Sequence, residues 1–392
     1  MKNPFSVIFQ KEFRENLRDK RTITSALIMG PLMGPILFAV MFGFMIQQQK
    51  NKSEKPLELP VIGAEQASSF IKFARQQGAH ILPGPNDPEQ AIRDKIHDLV
   101  LRIDPDYAQQ FRHGLPARIQ LYYDESNKDS ATPVRRVQQL VNQYSQTIGS
   151  LRLQLRGVNP VLTRAAFIEE HDLSTPQSRA ALILALLPYV LMIGIFTGGM
   201  YLAIDTTAGE KERQSLEPLL LNPVPRSTIL AGKLAATVAF SLMAVAITIV
   251  TFRIAFTFIP FEELGMALKL DARIMGLIFL LLVPVALLAG SLQTIIAAFS
   301  RNFREAQTYL SMLLLLPMLP SLAVMIMPLK ENAWKMATPI LGQNLLINQL
   351  VKGEAINPLD LLLAVGGTTA VGLGLAWVAV KLYNRERMLF SS

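Results

Sequence analysis

Six stretches of this chain are each long and apolar enough to cross a bilayer, which leaves the sequence few folds to choose from. They occupy residues 22–46, 180–204, 230–259, 274–299, 308–328 and 359–380. A helix needs about 20 apolar residues to cross roughly 30 Å of hydrocarbon. No water reaches that layer to satisfy backbone N–H and C=O groups, so each stretch must be helical. The composition agrees, with 51% hydrophobic and 17% charged residues among 392 and a mean hydropathy of +0.31, too apolar for an ordinary soluble chain. The first stretch is too long, and too poor in small-residue cleavage signals, for a removable signal peptide, so it reads as an anchor. Its Gly30-Pro31 and Gly34-Pro35 pairs predict a kink or a break.

The fold expected is an α-helical polytopic membrane protein with six transmembrane helices and a large extracytoplasmic α/β domain between the first and second. Residues 1–21 form an amphipathic helix, with Phe5, Ile8, Phe9, Phe13 and Leu17 on one face and Lys11, Arg14 and Arg18 on the other. Such a helix suits the cytoplasmic headgroup region, as a basic flank or as a partner-binding element. Residues 47–179 are polar and rich in turn signals. Short β-type runs at 57–62, 99–103, 118–123 and 166–170 alternate there with helical patterns at 65–77, 88–97 and 133–156, the pattern of a compact α/β domain. The long helix around 134–155 either packs on the sheet or stands as a stalk. In the outer loop, 330–358, the apolar piece at 340–351 is too short to span and fits a re-entrant or interfacial helix. Residues 381–392 make a cytoplasmic tail.

Charge sets the orientation. The net charge of +8 does not point to nucleic acid, because the basic residues gather at the ends of apolar stretches. One side collects Lys11, Arg14, Arg18, Lys211, Arg213, Arg226, Lys233, Arg301, Arg304, Lys381 and Arg385, and the short loops opposite hold few. Both termini and the 205–229 loop are therefore expected in the cytoplasm, and 47–179 outside. The absence of cysteine excludes disulfides, thiolate metal sites and cysteine nucleophiles. There is no phosphate-binding G-x-x-x-x-G-K-[ST] motif and no H-E-x-x-H, and the four histidines are scattered through 47–179. No catalytic residue and no metal ligand is assigned.

The stretch 205–233, DTTAGEKERQSLEPLLLNPVPRSTILAGK, is a charged, proline-punctuated connection where a membrane chain normally keeps connections short. Thr206 or Thr207 reads as a helix cap, Glu210 and Glu212 fall in the first turn, and Leu216, Leu219 and Leu220 make an apolar edge. Pro223 and Pro225 stop the helix. On physical grounds alone the stretch serves equally as a loop whose charges fix topology or as a docking element. Glu210-x-Glu212-Arg213-x3-Leu216-Glu217-x2-Leu220-x2-Pro223, followed by Ile229-x2-Gly232-Lys233, resembles the signature between the second and third spans of ABC-2 type permeases, with the sodium-efflux (NatB-like) branch the nearest likeness. The basic-Glu-aromatic tail is a weaker point of similarity.

The resemblance implies the membrane half of an ATP-driven exporter in the bacterial cytoplasmic (inner) membrane. This chain would then bind no cofactor, and ATP and Mg would sit on separate ABC ATPase subunits. A second permease copy would complete the translocator, as a homodimer or a related heterodimer, with the lipid bilayer around it and no nucleic-acid partner. Glu210, Glu212, Arg213, Leu216, Glu217, Leu220 and Pro223 would form the ATPase-coupling segment. Candidate path residues are Arg253, about one and a half turns from the outer end of its span, and Gln293 and Thr294. The spans hold almost no Asp or Glu, which argues against ion-coupled secondary transport and leaves sodium few strong ligands. A substrate path is expected near the second and fifth spans, where glycines and prolines loosen packing. Export of an amphipathic, lipid or peptide substrate stays open, as does a sensor acting through its outer domain.

Overall fold

The structure is a computed structural model that describes residues 3–54, 56–127, 129–163, 166, 169, 171, 174–176, 184–215, 218, 223–261, 271–327 and 332–383. Helix α1 covers Pro4–Asn16 and starts where the sequence marks it, with the Asn3 side chain accepting from the Phe5 N–H and a proline in the first turn. A short turn capped by Asp19 leads through a π-helical stretch, Ile23–Met29, into α2, Gly30–Glu54. Of the kink or break expected at the Gly-Pro pairs, the break does not occur, since the helix runs on through Pro31 and Pro35. The π turns lie immediately ahead of Pro31 and Pro35, a local adjustment by which membrane helices accommodate a missing N–H.

Along the chain there follow β1 (Leu57–Ile62), α3 (Ser68–Gln76), β2 (Ala79–Pro83), α4 (Pro88–Arg93), β3 (Leu99–Ile103), α5 (Tyr107–Arg112), β4 (Ile119–Tyr123) and α6 (Ala131–Leu155). Then come α7 (Leu187–Ile204), α8 (Glu210–Glu212), α9 (Arg226–Phe256), α10 (Ala272–Phe299), α11 (Phe303–Leu313), α12 (Met318–Ile326), α13 (Ala333–Ala337), α14 (Leu341–Lys352) and α15 (Pro358–Tyr383). Among the described residues, six helical stretches are long and apolar enough to cross a membrane: Lys20–Gln48, Leu184–Glu212, Arg226–Phe256, Ala272–Phe299, Phe303–Ile326 and Pro358–Tyr383. The second, third and fifth differ most from their expected limits, the fifth beginning five residues ahead of 308. The second does not stop at 204, and the third begins four residues ahead of 230.

The chain forms two compact units, one comprising Met1–Phe44 with Leu173–Ser392 and the other Met45–Asp172. In the first, α7 is the central element. It has 72% of its apolar window buried, against 28% for the first stretch and 17% for the fifth and sixth. Its glycines permit close helix packing: a Cβ on Gly198 would fall 2.3 Å from the Ala244 Cβ, so the residue is bare to let α9 lie against it. Phe38 of α2 meets Phe252 and Phe256 of α9 edge-on.

The fifth stretch is broken between α11 and α12. Pro317 lacks an N–H and its ring clashes with the carbonyl four residues back, so residues 314–316 close three-residue turns instead. Helix α14 lies inside the unit, with Gly342–Val351 buried. Its polar side chains bond inward: Gln343 donates to Ala364 O and Thr368 Oγ1, and Asn344 donates to Ser321 Oγ at 2.6 Å.

The second unit is an α/β fold with sheet order β2-β1-β3-β4, where β1 runs parallel to β2 and β3, and β4 antiparallel to β3. Strand β2 was not anticipated. Leu59, Leu101, Phe70 and Tyr107 fill the core together with Val137 and Leu140 of α6. The first half of α6 therefore packs, while Leu151 and Leu155 near its end are 50% and 88% exposed. The run expected at 166–170 lies largely outside the described residues.

Candidate functional site

The signature stretch begins as a continuation of α7. The helix passes through π turns at Asp205–Gly209 into α8 without a new cap. Thr206 and Thr207, expected to cap a fresh helix, donate instead to Leu202 O and Ala203 O, as hydroxyls inside helices do. The helix ends just past Glu212. Ser215 N–H bonds Glu210 O and Gln214 N–H bonds Lys211 O, with Gln214 at φ +55 in the left-handed position. That is the Schellman arrangement, normally given to glycine.

Each charge on α8 has a different partner. The Glu210 carboxylate turns inward, 7% exposed, and pairs with the ammonium of Lys233, which is 1% exposed. Lys233 Nζ also donates to Thr206 O at 2.9 Å and lies 3.9 Å from Glu12 Oε1. Glu12 and Asn16 are both 3% exposed. A lone buried ammonium is costly, and this one is tolerable because carboxylates and a carbonyl replace its water. Gly232 makes the approach of α1 possible, since a Cβ there would sit 2.8 Å from Ile8 Cγ2. Glu12 follows Ile8 by one helical step and so arrives over Lys233. Phe9, Phe13 and Leu17 pack beside it on Ala236 and Phe240, with Phe13 edge-on to Phe240 at 5.3 Å. Lys11 lies 3.4 Å from Glu12 and 3.6 Å from Glu15. Burial pulls its affinity for the proton down, but the carboxylates of Glu12, Glu15 and Glu210 outweigh that and hold it above the usual lysine value.

Lys211 Nζ donates to Ala298 O at the end of α10. Glu212 Oε2 accepts the Phe303 N–H, 2.8 Å away, at the start of α11. Arg213 folds back on Asp205, Nη1 to Oδ1 at 2.8 Å, a bond that holds the guanidinium above its usual range. Between α1 and this segment opens a cleft of about 620 Å³ lined by Glu12, Glu15, Asp19, Asp205, Arg213 and Phe303 among others. Its rim is mixed in sign, suited to a charged partner rather than an apolar one.

Of the site residues expected, the structure brings Glu210, Glu212 and Arg213 together and leaves Pro223 exposed. Leu216, Glu217 and Leu220 lie outside the described residues. Glu210 is a correction: it is not on the surface facing a partner, because burial with Lys233 uses its charge internally. Arg253, Gln293 and Thr294 form no cluster. Gln293 donates to Phe196 O at 2.6 Å and Thr294 to Gly290 O, both buried. Arg253 is exposed, about 24 Å along α9 from Thr237, at the level of Gly290. Sequence reasoning missed Glu12 and Lys211, and it had Lys233 as part of the signature without its buried partners. The only signal was an acid one step along a helix from Ile8 on the packed face.

A family model described as ABC-2 family transporter protein matches residues 25–378 of the chain. The ABC transporter permease protein NatB of Bacillus subtilis (strain 168) is 28% identical to it over 289 residues, which is 72% of this chain and 74% of that relative.

Proposed function

The chain belongs to the ABC-2 family of transporter proteins, and from that membership we propose that it is the permease subunit of an ATP-driven exporter whose 205–223 segment receives the stroke of a separate ATPase. Family members are multi-pass membrane transport subunits that associate with an ABC ATPase. The observation carrying the finer reading is the meeting of Glu210 and Lys233. These two charges bracket the signature, and their pairing fixes the outgoing and returning chain at one point. The excursion between them, with Leu216, Glu217, Leu220 and Pro223, is then a tethered docking element for the ATPase. Exposed Glu212 and Arg213 flank it, and Glu210 is its internal anchor.

In this reading both termini and the segment are cytoplasmic and the α/β unit is outside the bacterial inner membrane, which the basic residues near the segment support. Two copies, identical or related, form the translocator. The thinly covered first, fifth and sixth stretches supply surface for the second copy and for lipid. The cargo is sodium ion, on the resemblance to the sodium-efflux branch. An amphipathic, lipid or peptide cargo is the alternative, favoured by the described buried polar groups away from the Glu12, Glu210 and Lys233 cluster being amides and hydroxyls such as Gln293, Asn344 and Thr368.

Co-expression with a candidate ABC ATPase chain tests the assignment. The ATPase should co-purify, Leu216→Ala should weaken the complex, and loaded vesicles should lose sodium on addition of ATP. Tags at Asn127 and at the C-terminus should report opposite sides of the membrane. Failure to co-purify any ATPase would remove the exporter reading. An ATPase stimulated only by amphipathic compounds would replace sodium and keep the rest.

A further inference from the structure

We propose that Lys211 and Glu212 are positioning residues that gear the 205–215 segment to the joint between α10 and α11, so that displacement of the segment turns the fifth helix. The inference rests on the reading above, in which an ATPase displaces that segment.

The two side chains sit on consecutive residues and reach opposite sides of one joint. A helix ends with free carbonyls and partial negative charge, and begins with free N–H groups and partial positive charge. The cation, Lys211, takes the carbonyl of Ala298 at the closing end of α10. The anion, Glu212, takes the N–H of Phe303 at the opening end of α11. Each charge is thus matched in sign to the helix end it holds. Only Ser300, Arg301 and Asn302 separate the helices, and Ser300 and Asn302 are extended, so the joint has no helical ladder to stiffen it.

What lies beyond the joint is suited to move. The fifth stretch is the one broken between α11 and α12, and with the sixth it is the least covered within the chain, at 17%. The remaining charges of the segment are committed elsewhere, Glu210 to Lys233 and Arg213 to Asp205. Lys211 and Glu212 are therefore its charged link to α10 and α11 among the described residues. A rigid continuation of α7 on one side, a joint on the other and two sign-matched contacts between them make a gear.

The chain has no cysteine, so spin labels can be placed without background. One label at Met312→Cys on α11 and one at Leu280→Cys on α10, both 62% exposed, report the angle across the joint in the full chain with its ATPase. In the unsubstituted complex, trapping the ATPase with ATP, Mg and vanadate should shift the distance. In Lys211→Met the ATPase should still co-purify and hydrolyse ATP, and there, as in those Glu212→Ala complexes that form, the fraction of complexes showing the shift falls roughly tenfold, within the range usual for linked sites. Glu212→Gln, whose amide oxygen still accepts the Phe303 N–H, should keep most of the shift, which a general loss of folding would not allow. An undiminished shift in both disruptive variants overturns the gear, as does no shift in the unsubstituted complex. Parallel loss of ATPase binding and shift also overturns it, making these residues docking groups. An unsubstituted chain that binds no ATPase fails the exporter reading instead.

Discussion

Replacing Lys233 with methionine keeps an unbranched side chain one atom shorter and removes its charge, and the consequence follows from what it leaves behind. Glu210 at 7% exposure and Glu12 at 3% would face each other across a site with no buried cation. Breaking a buried pair by removing one partner costs about 3–5 kcal/mol, because a charge is stranded away from water. At about 2 °C per kcal/mol for a unit of this size, the melting temperature of the detergent-solubilised protein should fall roughly 6–10 °C. Adding Glu210→Gln should recover much of that loss, since replacing both charges with neutral groups is often close to neutral. The double-mutant cycle is read by thermal unfolding of the four proteins at one pH and ionic strength. A Lys233→Met protein as stable as the parent would refute the reasoning, and so would a double variant no better than the single.

Gly232→Val should push α1 off α9 at a cost of about 1–3 kcal/mol, read as faster maleimide labelling of a cysteine placed at Phe9. Ser321→Ala should cost about 1–3 kcal/mol by leaving the buried Asn344 Nδ2 without its acceptor, seen as a lower melting temperature that Asn344→Leu in the same protein partly restores. Asp19 accepts from the Thr22 hydroxyl and from the N–H groups of Arg21 and Thr22, which hold its carboxyl below the usual 3.8. A lowered value means stability present above pH 3.8 and lost as pH falls through the folded value. Asp19→Ala should therefore lower the melting temperature at pH 7, with the difference narrowing in stronger acid.

The spanning stretches were legible because nothing but apolarity and length is needed to specify them. The start of α1 was legible because Asn3-Pro4 is a local signal. Strand β2 was not. Ala79–Pro83 is five residues long, carries a histidine and ends in proline, so it joins the sheet through pairing with β1 rather than through its own propensity. Thr206 and Thr207 misled for a related reason: a hydroxyl beside acids looks like a cap, yet mid-helix it bonds back to its own ladder. The site was half visible. Glu210, Glu212 and Lys233 stood out as charges in the signature, but their partners come from α1 and from the joint after α10. Glu12 looked like one more charge on an amphipathic helix, because its partner lies on a distant part of the chain. No local pattern records such pairings.

The unbroken passage of α7 into α8 has a consequence in lengths and angles. The helical stretch Leu184–Glu212 has 29 residues and so measures about 43 Å, against roughly 30 Å of hydrocarbon. Its charged end therefore stands on a stiff post that clears the apolar layer. If the post tilts by ~10° about its middle, that end travels nearly 4 Å sideways, more than a hydrogen bond can stretch. The ends of α9, α10 and α11 bonded to it must either travel with it or let go. Small rotations deep in the bilayer and movements at the charged end of the segment thus become two readings of one rigid rod.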